Sequence, residues 1–197
     1  MRATLARAVV WALVVLTASC STSSSHLYTL SSAAAAGAAP AAANITVVVG
    51  PVSIPAIVDT PQIVLSTGPN QVRQDEFNRW AAPLPNDITR VVVANLVTLL
   101  GTPRVAGLLD SVRGTADYHV AIAVQAFESA PGEAATLNAV WSVRRTKDDK
   151  SDTGRTTVRE PVTEKGYQAL AAAHSRALAR LSQDIADAIR TMDRAAP

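Results

Sequence analysis

Three histidines, one cysteine and a cluster of aspartates are the side chains from which this chain would have to build chemistry. Hydrolysis by a nucleophile and a base needs a serine or cysteine beside a histidine, yet His26, His119 and His174 fall in separate stretches, with no local motif around any serine. His174 lies on the apolar side of a helical pattern without a second ligand at helical spacing, so it reads as a core or interface histidine. Asp148, Asp149 and Asp152 are spaced loosely like calcium ligands, but the loop lacks the glycine and the closing glutamate of a binding loop and reads as a surface turn. No glycine-rich phosphate loop is present. The expectation is a protein with no catalytic residue, no metal and no cofactor. That leaves Cys20, which has no disulfide partner in the chain and therefore needs another explanation.

The residues before Cys20 supply one. Arg2 and Arg7 precede an apolar run from Ala8 to Leu16, followed by Thr17, Ala18 and Ser19. The run falls well short of the ~20 residues a spanning helix needs, and its layout is that of a secretion signal. The segment resembles a bacterial lipoprotein signal, which implies cleavage after residue 19 and acyl chains on Cys20. Thr17 departs from the branched apolar residue usual three places before such a cysteine. A soluble secreted protein with Cys20 left over, or a cysteine buried in the fold, are the alternatives. Two or three acyl chains would anchor the protein stably, since one chain alone binds membranes only marginally. Ser21 in place of an aspartate favours the outer membrane.

Loss of a leader carrying Arg2 and Arg7 leaves 16 basic against 16 acidic residues. A neutral chain is a poor partner for nucleic acid, which requires clustered cations. Arg144, Arg145, Lys147 and Lys150 come nearest, but Asp148 and Asp149 interrupt them, and the run reads as a solvated hairpin tip.

The elements follow from period. After a polar tether at 20–25, residues 26–30 form a short strand, and 31–43 are an Ala-rich stretch with Gly37 and Pro40 that is expected to be a flexible loop. Ile45, Val47, Val48, Val49 and Val52 make a β-branched run covered on both faces, ended by Pro51 and Pro55. Residues 62–66 and 71–75 read as hairpin arms joined by Thr67-Gly68-Pro69-Asn70. Leu84, Ile88, Val91, Val92, Leu96, Leu99 and Leu100 share one helix face, with Pro83 at the start and Gly101 and Pro103 as the stop. Alternation in Val120, Ile122 and Val124 opens a three-strand meander over 118–162. Tyr167, Leu170, His174, Leu178, Leu181, Ile185, Ile189 and Met192 mark a closing amphipathic helix. The expected fold is α+β: one domain over 26–194, with a mixed or antiparallel sheet and both helices on one face.

The segment from Asp59 to Leu84, DTPQIVLSTGPNQVRQDEFNRWAAPL, concentrates the unusual residues. Phe77 and Trp80 read either as core anchors where strand gives way to helix or as part of an interface. Pro61, Gln62, Glu76, Phe77, Trp80, Pro83 and Leu84, with the preceding Gly-Pro-Val-Ser-Ile-Pro and the early Tyr28-Thr29-Leu30, resemble the signature of the lipoprotein family of paraquat-inducible protein C. These are auxiliary lipoproteins of ABC-type intermembrane transport. The resemblance covers essentially the whole mature chain, and only the Ala-rich insertion departs from it.

The resemblance implies a periplasmic domain lipid-anchored to the outer membrane through Cys20. Its implied partners are an MCE-domain protein and inner-membrane transport components, with a homo-oligomeric ring and no nucleic acid. The implied work is to dock or complete a lipid path and support envelope integrity, with the 67–70 hairpin tip and exposed strand edges as the expected interface. Two other classes remain open: an independent lipid carrier, which needs a continuous apolar cavity, and a purely structural envelope lipoprotein, which needs no stoichiometric partner.

Overall fold

A computed structural model describes residues 24–35, 44–109 and 116–194. Strand β1 spans His26–Tyr28, β2 Val47–Ser53, β3 Gln62–Gly68 and β4 Gln71–Trp80; helix α1 follows over Leu84–Leu100. Strand β5 spans Val105–Gly107, β6 Tyr118–Ala130, β7 Ala134–Arg145 and β8 Ser151–Pro161, and helix α2 closes the chain over Tyr167–Arg194. The described residues form one mixed sheet with both helices on a single face, the α+β arrangement expected.

Helix α1 starts and stops where its residue types require. Pro83 sits in the N-cap position, and Gly101 closes the C-terminus in the left-handed conformation (φ 66°), its amide donating to Val97 O. The face predicted from spacing is the buried one: Ile88, Val91, Val92 and Leu96 are wholly enclosed. Each such side chain contributes about 1.5–3 kcal/mol on burial. Helix α2 buries Leu170, His174, Leu178, Leu181, Ile185 and Ile189 between α1 and the sheet.

The meander forms the sheet's backbone. Strand β6 pairs antiparallel with β7 from Tyr118↔Arg145 to Ala130↔Ala134, and β7 continues to β8. Its other edge is divided. Strand β2 pairs parallel with residues 118–123 of β6, while β3 meets it farther along at Leu65↔Ser129. Between them the sheet forks, because Pro51 and Pro55 lack the amide that a continuous ladder would need. A hollow of about 430 Å³ occupies the fork, lined in part by Pro55, Ile57, Val58, Val64, Val72 and Phe127.

Several expectations are corrected. Strand β4 runs on to Trp80, so Glu76–Trp80 is strand and not a lead into the helix. Strand β5 was not foreseen; its three residues acquire strand geometry only by pairing with β2. Of the stretch expected to be flexible, residues 31–35 are described and 31–34 are hydrogen-bonded to the helices, while 36–43 lie outside the described residues. The basic run is not wholly solvated. Arg145 is 5 % exposed: it bonds both oxygens of Asp148 and donates to Met192 O near the end of α2. Its ion pair holds the Asp148 carboxyl well below the usual range.

Candidate functional site

The structure brings together one pair that sequence spacing did not predict. Ser129 Oγ and His174 Nε2 share a 2.8 Å hydrogen bond across the sheet–helix contact. They do not form a hydrolytic centre. His174 is 0 % exposed and Ser129 3 %, the ring stacks on Phe127 at 3.8 Å, and Trp80 meets it edge-on. The imidazole Nδ1 has no hydrogen-bond partner, so no carboxylate orients the ring as a base requires. Burial pushes the His174 pKa down to about 3, which keeps the ring neutral. Among the described residues no group of three or more His, Cys, Asp or Glu side chains is placed to hold a metal ion.

The motif residues converge where β1, β4 and α1 meet. Trp80 is 6 % exposed and packs against Phe127 at 6.1 Å, while its amide donates to Pro61 O at 2.8 Å. Gln62 pairs with Arg79. Pro83 O accepts from the amides of Asn86 and Asp87, and Leu84 is buried at the start of α1. Pro61, Trp80, Pro83 and Leu84 also line a shared hollow of about 400 Å³.

Phe77 and Glu76 behave differently. The register jumps from Gln62↔Arg79 to Ile63↔Asp75, leaving Glu76, Phe77 and Asn78 without partners on β3. This is a bulge, a device that re-aims side chains at a strand edge. Asp75 shapes it: Oδ1 accepts from the amides of Phe77 and Asn78 and from Asn78 Nδ2 at 2.8–3.0 Å. The other oxygen accepts from Tyr167 Oη at 2.5 Å. The Tyr167 bond first, then those from Asn78 and the Phe77 amide, hold the Asp75 carboxyl well below the ordinary range. Phe77 is consequently 49 % exposed, so of the two aromatics only Trp80 anchors the core.

Sequence reasoning missed a second group, which straps down the chain where it leaves β1. Asp87, 3 % exposed on α1, accepts from the Leu30 amide at 2.8 Å and pairs with Arg90, whose guanidinium also donates to Leu30 O. Asn95 Oδ1 accepts from Ser32 Oγ and from the amides of Ala33 and Ala34, while its Nδ2 donates to Ser182 Oγ on α2. The Ser31 amide donates to Ser175 Oγ. Asn95 was findable, as a polar residue on an otherwise apolar helix face. Its partners were not, being 61–63 residues away on one side and 87 on the other. The lipidation candidate Cys20 lies outside the described residues.

Comparison with known proteins identifies the family. The model of the ABC-type transport auxiliary lipoprotein component family matches residues 28–186, from β1 well into α2. The chain belongs to this family. The match takes in every motif residue just described except Cys20, and it identifies a component associated with an ABC transporter system and a lipoprotein of the cell envelope. No helix among the described residues is long and apolar enough to cross a membrane. No curated protein matches the chain. Among solved structures, an uncharacterized protein shares the fold with a TM-score of 0.70 and 19 % identity, over 84 % of this chain and 99 % of its own. A DUF330 protein from Xanthomonas campestris aligns with a TM-score of 0.69 and 22 % identity, over 82 % of this chain and 93 % of its own.

Proposed function

We propose that this family member is a non-catalytic auxiliary of an MCE/ABC-type lipid transport system, held at the periplasmic face of the outer membrane by an acylated Cys20. The family match over residues 28–186 carries this reading. The geometry supports it. From His26 onward the chain is fixed by β1 and then by Asp87, Asn95 and Ser175, so the segment that follows the tether is joined to both helices. The β3–β4 hairpin, which meets β6 at a single register position, presents the 67–70 tip as the docking element for the MCE partner. Pro61, Trp80, Pro83 and Leu84 act structurally at the base of that hairpin, the end away from the tip, and Glu76 and Phe77 lie exposed near the same base. A ring of copies would align several such surfaces around one transport path.

The test is affinity purification of the tagged full-length protein from native membranes in mild detergent, with mass spectrometry and a Cys20→Ala control. Stoichiometric recovery of an MCE-domain protein, weakened by loss of the anchor, is the expected result. One observation favours a second reading. A hollow of about 640 Å³ between β2, β5 and α1 is lined by Val49, Val52, Val93, Val105 and Leu108, a setting in which an acyl chain would be at home. Recovery of the protein alone with bound lipid would favour an independent carrier.

A further inference from the structure

Two of the large apolar side chains left exposed in this domain stand at the place where the tether enters it. Leu27 is 65 % exposed and Phe77 49 %. Strand β1 runs parallel to the end of β4, in the register His26↔Asn78, Leu27↔Arg79 and Tyr28↔Trp80. In a parallel pair the preceding residues of both strands lie toward the same end, so the chain before His26 leaves alongside the Glu76–Asn78 bulge. Ser24 and Ser25, the first described residues, are exposed there.

The core does not use these two side chains. Tyr28 and Trp80 face α2, the first against Tyr167 and the second against His174. Leu27 and Arg79, one residue earlier, therefore face away from the helices. Phe77 stands two residues before Arg79, on the bulge that Asp75 holds open. Arg79, whose side chain is 38 % exposed, stands beside it and pairs with Glu76 at 3.9 Å, whereas Arg73 turns to the α2 side, where it bonds the Asp75 oxygen that also accepts from Tyr167.

The length of chain outside the domain limits what can cover this patch. Five residues lie between Cys20 and His26, six Cα steps with a reach of about 20 Å when fully extended. A neighbouring strand lies only about 5 Å farther. We infer that Leu27 and Phe77 form a membrane-resting patch, their side chains entering the headgroup layer of the bilayer that holds the anchor while Arg79 meets a lipid phosphate. This inference rests on the reading of Cys20 as acylated. Amphipathic surfaces bind interfaces in this way, with apolar groups at the acyl boundary and cations at the phosphates. The patch would add orientation to the attachment that the acyl chains supply.

The test uses the full-length processed protein in vesicles of phosphatidylethanolamine and phosphatidylglycerol. Acylation blocks the sulfur of Cys20, the chain's one cysteine, so Leu27→Cys, Phe77→Cys and Val72→Cys each offer a single thiol for an environment-sensitive fluorophore. Val72 is 50 % exposed and five residues earlier in β4, toward the hairpin tip, and serves as the reference. The labels at 27 and 77 are expected to shift to the blue and to lose emission to headgroup-level doxyl lipids, with the label at 72 unaffected. Acylated protein in which neither 27 nor 77 is quenched, or in which 72 is quenched equally, overturns the patch and leaves the lipoprotein reading standing. An N-terminal peptide mass without acyl chains overturns both.

Discussion

Lowering the pH from 7.5 to 5 should destabilise this protein through one buried ring. His174 is fully enclosed by Phe127, Trp80 and α2 itself, and burial pushes its pKa down to about 3. In the unfolded chain a histidine titrates at about 6.5. Between these values the unfolded state binds one proton more than the folded state, so stability rises with pH. His174's contribution is complete above about pH 6.5 and is lost at about 1.4 kcal/mol per unit below it. At pH 5 the loss is about 2 kcal/mol, and for a domain of this size that lowers Tm by about 4–8 °C. The assay is thermal unfolding followed by circular dichroism at pH 7.5, 6 and 5, comparing wild type with His174→Gln. The variant loses the ring stack and is less stable at every pH, but its Tm should lack the pH-dependent part of the fall. Stopping at pH 5 keeps the Asp75 and Asp148 carboxylates out of the window, because their depressed pKa values make stability fall only below the ordinary carboxylate range. Equal pH slopes in the two proteins would refute the assignment of a neutral buried imidazole.

Three further outcomes are expected. Tyr167→Phe removes the leading bond to Asp75, so carbon-13 NMR should show that carboxyl titrating at higher pH, with a stability loss of about 1 kcal/mol; an unmoved titration would show that the bulge amides alone suffice. Gly154→Ala would place a methyl 2.2 Å from Trp141 Cζ2, where the indole lies over the β8 backbone, and should lower the urea midpoint by an amount equivalent to about 1–3 kcal/mol. Asn95→Ala deprives the Ala33 and Ala34 amides of their acceptor, and native-state hydrogen exchange at those two amides should accelerate while the centre of β7 is unchanged.

Residues close in the chain made much of this protein legible. Pro83, Gly101 and the spacing of Leu84, Ile88, Val91, Val92 and Leu96 delimit α1, because capping and a 3.6-residue period are local properties. The alternation of Val120, Ile122 and Val124 announces β6 for the same reason: one side of the strand faces the helices. The motif around Trp80 marked the end of a strand before a helix, although its two aromatics could not be told apart. Both fit a strand end equally well, and what separates them is a bulge whose shaping carboxylate is held by Tyr167, 92 residues away.

The tertiary structure decided everything that depends on a distant partner. The fork in the sheet arises because β2 and β3 share one edge of β6, and β5 exists only as the neighbour of β2. Arg145 turns inward because the Met192 carbonyl waits at the end of α2, and His174 finds Ser129 across the sheet–helix contact. The sequence by itself determined both helices, the longer strands, the order in which they occur and the family they compose, since propensity, period and capping act within a few residues. Which polar groups are buried, which aromatic is exposed and how the tether is strapped to the helices were settled only on folding, when long-range packing left each hydrogen-bonding group to find the partner that the assembled surfaces offered it.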